Sequence, residues 1–192
     1  MAINRIKMNL TKQQITDIAT KYGLTYAQLR AFIEVESGGS GFINGKIVIQ
    51  FEPSWYRKRA PFAPSGAWSI NKVENQAKEW IAFNDAFSKN QKAAMESTSI
   101  GLGQIMGFHY GRLGYKTVGA MWDDFKRGEY QQVEGIAKFI KTDTRLFNAL
   151  KSLNFHRVAE LYNGAGYLDL ARKYGREPYN ISLEKAYRKY LA

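Results

Sequence analysis

Apolar positions recur at spacings of three and four along most of the chain, and nearly every such run opens on a capping residue. Leu29, Phe32 and Ile33 share one helical face, with Thr25 and Gln28 forming a T-x-x-Q capping box ahead of them. Glu36 takes the next place on that stripe, seven residues after Leu29. Burial penalises a charged carboxylate there and raises its pKa, which marks Glu36 as a candidate acid. The plain alternative is a helix-terminal Glu in solvent. Glu34 falls on the opposite side of the helix, with Arg30 four residues back as its expected surface partner. Gly38, Gly39 and Gly41 end the helix, and the period then changes. Phe42-Ile43, Asn44-Gly45 and Lys46 to Ile49 read as a β-hairpin, because an Asn-Gly turn supplies two positive φ angles. Glu52 closes the returning strand. A helix end and a hairpin end are therefore expected to hold Glu36 and Glu52 across a groove.

Before this stretch, Thr11 and Gln14 form another capping box, for a helix through Ile15, Ile18 and Ala19 that stops at Gly23. After it, Pro53, Pro61, Pro64 and Ser65-Gly66 predict an irregular segment bearing Trp55, Tyr56, Phe62 and Trp68. Those rings either stack on sugars or cover the core. A helix is expected from Ile70 to about Phe87 through Val73, Ala77, Trp80, Ile81 and Asn84, and a short one after Ser88. The segment Ser99 to Gly107, SIGLGQIMG, has close glycines where a helix is expected to start. No Lys-Ser or Lys-Thr follows them, so it is not a phosphate loop. Past Gly114 the pattern is helical throughout. Thr117 caps a helix to Gly128, another spans about 130–141, and Thr142 or Asp143 caps one through Leu146, Phe147 and Leu150. Asn154 caps the next, through Phe155, Val158, Ala159 and Tyr162, which ends in Tyr162-Asn163-Gly164. Two basic helices follow, the last with an apolar stripe of Leu183, Ala186, Tyr187 and Tyr190.

Composition narrows the chemistry. The 192 residues are 45% hydrophobic, enough for one core, and no apolar run reaches membrane-spanning length. The opening MAINRIKMNLTKQQ lacks the apolar centre of a secretory signal, so no signal peptide is expected. With no Cys there is neither a disulfide frame nor a thiolate nucleophile. His109 and His156 are far apart and lack metal-ligand spacing, so each reads as a packing or surface residue and not as a ligand. The net charge of +11 implies an anionic partner, nucleic acid or an anionic bacterial envelope. The cations cluster at Arg57-Lys58-Arg59 and in the tail, without a spaced nucleic-acid motif. Two acids at a groove suit glycosidic cleavage, in which a protonated carboxyl serves the leaving oxygen and a second carboxylate activates water or stabilises the cation-like sugar.

Three segments then occur in order: VESGGSGF around Glu36, SIGLGQIMG around Gln104 and ELYNGAG around Tyr162. They are similar to the Glu-Ser, Gly-Leu-x-Gln and Ala-Tyr-Asn motifs of goose-type lysozymes and soluble lytic transglycosylases. More closely, residues 10–190 resemble the N-acetylmuramidase domain of endolysins from phages of Gram-negative bacteria. The resemblance implies a mainly α, lysozyme-like helical bundle with one small β-hairpin lobe bordering the substrate groove. It also implies that residues 1–192 are a single catalytic domain without a separate wall-binding module. Such a protein cleaves the β-1,4 bond between N-acetylmuramic acid and N-acetylglucosamine of peptidoglycan. By position, Glu36 matches the catalytic acid and Glu52 the second acidic residue. Ser99 and Gln104 match the segment lining the groove, and Tyr162 and Asn163 the pair close to the acid. Two positions depart from the pattern: Pro53-Ser54-Trp55-Tyr56 stands where Arg-His-x-Phe is common, and Leu161 where the lytic enzymes usually have Ala.

The resemblance further implies a monomer that needs neither metal nor cofactor and acts on peptidoglycan glycan strands and the anionic envelope, not on nucleic acid. The protein would be made in the host cytoplasm and reach the periplasm through a holin-type lesion; the basic tail either completes the bundle with its cations in solvent or stands in for the missing binding module. The nearest rival is a lytic transglycosylase, in which the sugar's own 6-hydroxyl replaces water; Glu52 favours hydrolysis, with inversion expected. A second rival is a non-catalytic basic module binding wall polymer or nucleic acid, and a third a secreted antibacterial toxin of the same chemistry.

Overall fold

A computed structural model describes residues 10–37, 40–62 and 75–191. Gly38, Gly39, Pro64 to Gly66, Trp68 and the expected helix start at Ile70 to Val73 lie outside them. The described chain forms two compact units, one from residues 40–132 and one from residues 10–37 and 133–191.

In the second unit, helix α1 (Lys12–Lys21) opens on the expected box, Thr11 Oγ1 accepting the Gln14 N–H at 3.2 Å while Gln14 Oε1 accepts the Thr11 N–H at 2.9 Å. Helix α2 (Tyr26–Ser37) repeats the device with Thr25 and Gln28. Leu29, Phe32 and Ile33 are fully buried, each side chain contributing about 1.5–3 kcal/mol. Helix α7 (Glu129–Thr142) buries Val133, Ile136, Ala137 and Ile140. Helices α8 (Thr144–Lys151) and α9 (Phe155–Asn163) are capped by Asp143 and Asn154. Helices α10 (Tyr167–Lys173) and α11 (Tyr179–Lys189) follow. Leu183 and Ala186 of α11 are buried, and α11 packs on both α2 and α9. Glu34 takes its partners from the end of that helix: Lys189 Nζ lies at 2.9 Å and the Tyr190 hydroxyl donates to the same carboxylate. Arg30, the expected partner, instead lays its guanidinium 4.7 Å from the Tyr190 ring and acts on Glu34 only through its field.

In the first unit, strands β1 (Phe42–Ile43) and β2 (Lys46–Ile47) pair around Asn44 and Gly45, whose φ angles of 52° and 74° are those the turn requires. The hairpin ends sooner than expected. Val48 donates to Gly41 and accepts from Gly101, and the chain passes into a second sheet. There β3 (Ile49–Phe51) pairs with β4 (Thr98–Ile100), and β4 with β5 (Ile105–Met106), all antiparallel. Glu52 therefore follows a strand of this sheet and not the hairpin, and it stands at the N-cap of the next helix. Pro53, expected to break structure, starts helix α3 (Pro53–Arg59), since the first turn needs no N–H from it. Within that helix Tyr56 is buried and Trp55 exposed, while Phe62 beyond it is 98% exposed.

Helix α4 (Gln76–Lys89) begins on the Asn75 cap and buries Glu79, Ala82, Phe83 and Ala86. The face expected from the sequence is the wrong one: Ala77, Ile81 and Asn84 are exposed. Two polar residues explain this. The Gln76 amide accepts from the Ile49 N–H at 2.9 Å and donates to the Ile49 carbonyl at 2.7 Å, and Glu79 Oε2 accepts from the Phe51 N–H at 2.8 Å. One turn of helix thus supplies hydrogen bonds to the free edge of β3. The short helix after Ser88 is α5 (Gln91–Glu96), capped by Asn90, while the Ser88 hydroxyl donates to the Asp85 carbonyl. The glycine segment forms β4, a turn and β5 instead of a helix start. A short 3-10 turn at Gly107–His109 follows, and a Cβ on Gly107 would stand 2.0 Å from the Met95 carbonyl oxygen. Helix α6 (Val118–Lys126), capped by Thr117, completes the unit with buried Gln132, whose amide bonds the Leu102 N–H and the Phe125 carbonyl. Among the described residues no helix is long and apolar enough to cross a membrane.

Candidate active site

Glu36 sits in the last turn of α2, where the apolar stripe meets the first residue of α11. Tyr179 there donates its hydroxyl to Glu36 Oε1 at 2.5 Å. Burial pushes the Glu36 carboxyl up from its ordinary 4.5 to about 7, and the Tyr179 bond, which favours the charged form, only partly opposes this. The Tyr179 phenol is itself raised well above its usual value by burial and by the neighbouring carboxyl, so it remains a donor. Tyr162 stacks on Tyr179 with centroids 6.0 Å apart and meets Phe32 edge-on at 4.8 Å. Glu36, Asn163, Arg176, Tyr179 and Ser182 help line a pocket of about 300 Å³. The structure thus places Glu36, Tyr162 and Asn163 in one neighbourhood, as the sequence suggested, and adds Tyr179.

Glu52, Ser99 and Gln104 belong to the first unit. Gln50, Ser99 and Met106 are in register across β3, β4 and β5, and so share one face of the sheet. Gln50 Nε2 donates to Glu52 Oε1 at 2.9 Å. Burial raises the Glu52 carboxyl above its usual range, and the Gln50 bond counters it. The Ser99 hydroxyl donates to Gln104 Oε1 at 2.9 Å, and Gln104 Nε2 to the Gly101 carbonyl at 2.8 Å. Gln104 holds a φ of 44°, so its side chain braces the turn that carries it. Buried Glu79 is raised to about 7, first by burial and further by the Glu52 charge, while the Phe51 N–H opposes.

Sequence reasoning missed Tyr179, Gln50 and Glu79. Extending the α11 stripe one turn back from Leu183 reaches Tyr179. Drawing the α4 face through Ala82, Phe83 and Ala86 reaches Glu79. Both histidines are otherwise engaged. Burial, with Arg112 and Arg59, lowers His109 to about 4, and His156 Nδ1 lies 2.5 Å from the Tyr167 hydroxyl. Among the described residues no three His, Cys, Asp or Glu side chains are grouped to hold a metal ion.

Comparison with known proteins agrees with this chemistry. A family model described as "Muramidase: N-acetylmuramidase" matches residues 25–191, which take in parts of both units. Among solved structures, the chain is similar to the crystal structure of Burkholderia AP3 phage endolysin. The two share 33% sequence identity and a TM-score of 0.81, over 98% of this chain and 73% of that one. No curated protein matches. An acid held protonated near neutrality on a mainly α, lysozyme-like fold is what a glycosidase of this kind requires, and the chain belongs to the N-acetylmuramidase family.

Proposed function

We propose that this protein is a phage endolysin that hydrolyses the β-1,4 bond between N-acetylmuramic acid and N-acetylglucosamine, with Glu36 as general acid. The observation that carries the reading is the Glu36 carboxyl, raised to about 7 by burial and capped by Tyr179. Protonated, Glu36 gives its proton to the glycosidic oxygen as the bond to the anomeric carbon breaks. The carboxylate left behind is stabilised by the Tyr179 hydroxyl, so the same bond that orients the acid also favours its transfer. General acid catalysis contributes about a hundred- to ten-thousandfold. Glu52, steadied by Gln50, acts as the second carboxylate and takes a proton from the attacking water. Ser99 and Gln104 bind the glycan beside Glu52, and Tyr162 and Asn163 beside Glu36.

Catalysis needs Glu36 protonated and Glu52 ionised. Activity therefore falls on the alkaline side as pH passes about 7, and on the acid side as Glu52 takes up its proton. The protein works as a monomer and without a cofactor, on residues 1–192 as one catalytic domain, and reaches the wall through a holin-type lesion. Mass spectrometry of digested peptidoglycan tests the chemistry. Reducing muramic acid ends with added water are expected. Anhydro ends would assign the attack to the sugar's 6-hydroxyl and make the protein a lytic transglycosylase, and intact strands would leave it a binding module. Glu52→Gln should reduce turnover strongly, though less than Glu36→Gln, and NMR of the first product should show inversion.

A further inference from the structure

We propose that Arg176 reads the carboxylate carried on muramic acid, and so selects the sugar that enters the Glu36 pocket. This rests on the reading that the Glu36 pocket receives the glycan. Among the described residues Arg176 is the one cation lining that pocket, together with two carboxyls, Glu36 and Glu177. Neither cancels it. Glu36 is neutral below about pH 7, and Glu177 is engaged by Lys185 and by the Ser182 hydroxyl at 2.9 Å, which keep it ionised and paired. Arg176 itself forms no ion pair among the described residues; its guanidinium lies 5.6 Å from the Tyr174 ring. Its backbone is fixed as well: Gly175, at a φ of 59°, turns the chain out of α10, and the Arg176 N–H bonds the Ala171 carbonyl at 3.0 Å.

The residues lining the pocket thus offer an acid, an amide and hydroxyls, and at its exposed rim Arg176, whose guanidinium no ion pair among the described residues compensates. In the repeating disaccharide both rings and both acetamido groups are neutral. The only anionic group near the bond hangs from the lactyl ether of muramic acid, as a free carboxylate or as the carboxylates of an attached stem peptide. A guanidinium fork matches a carboxylate in charge and in bidentate geometry. The acetamido sugar without that ether offers it nothing.

The test uses the full chain and three preparations of one glycan: strands with stem peptides, strands stripped by an amidase to the free lactyl carboxylate, and stripped strands capped as neutral methylamides. Arg176→Gln should raise KM about tenfold or more on carboxylate-bearing strands, with kcat within about twofold, and leave capped strands unchanged. Arg176→Lys should recover part of the loss. A KM effect confined to peptide-bearing strands assigns the contact to the stem peptide, and one confined to stripped strands assigns it to the lactyl group. An equal change on all three, or none, overturns the proposal. Calorimetric binding in a Glu36→Gln background reads the same contact without turnover. A protein that cleaves nothing yet loses carboxylate-dependent binding with Arg176→Gln refutes the muramidase reading and leaves this one standing; carboxylate-independent binding refutes this one.

Discussion

Glu36→Gln should stop the enzyme and stabilise it at once. The amide is nearly isosteric and its oxygen can still accept the Tyr179 hydroxyl, so packing is kept while the ionisable group is lost. In the folded chain the carboxyl titrates at about 7, against an ordinary 4.5. A group whose folded pKa is raised binds its proton more tightly when folded, so stability falls as pH rises from the unfolded value towards the folded one. Two and a half pKa units correspond to about 3 kcal/mol when fully expressed. Relative to the parent, Glu36→Gln should gain about 1 kcal/mol at pH 5 and about 3 kcal/mol at pH 8. For a chain of this size that is an increase in melting temperature of roughly 5–10 °C at pH 8. Urea titrations of both proteins at the two pH values measure it, beside turbidity clearing of bacterial walls. Equal stabilities at pH 8, with clearing abolished, would mean that Glu36 is not desolvated and that its acidity has another source.

Tyr179→Phe removes the donor that favours the Glu36 carboxylate, so the alkaline limb of the activity profile should move upward by about one pKa unit while kcat falls; an unmoved limb would remove Tyr179 from the site. Gly107→Ala forces a methyl against the Met95 carbonyl and should cost about 1–3 kcal/mol of stability or more, as at other overpacked sites, read by denaturation. In the tail, Lys185 and Lys189 hold Glu177 and Glu34, so reversing them disturbs the scaffold. Reversing Lys173 and Arg172, whose pair with Asp169 is almost fully solvent-exposed, should weaken binding to anionic envelope at low salt with little change in melting temperature. Unchanged binding would confine the tail to a structural part.

Features set by neighbours in the chain were legible beforehand. Thr11, Thr25, Thr117, Asp143 and Asn154 cap the expected helices because a cap needs only two or three following N–H groups. The Asn44-Gly45 turn and the place of Glu36 on its stripe are equally local. What failed depends on distant partners. Tyr179 meets Glu36 from 143 positions away, which no periodicity encodes. The α4 face was misplaced because its first turn faces a strand with polar groups, so the apolar count pointed elsewhere. Pro53 reads as a break in the sequence because a hairpin running on to Glu52 leaves no helix for it to start.

That first turn of α4 has a consequence for how copies of the protein behave together. A strand at the margin of a sheet normally exposes a row of unpaired amides, a template on which a second molecule can add its own strand. Here the Ile49 and Phe51 amides and the Ile49 carbonyl are consumed by Gln76 and Glu79. The opposite margin, β5, is only two residues long. Neither margin offers a run on which aggregation can nucleate, and the sheet is sealed by side chains where a further strand would otherwise be needed.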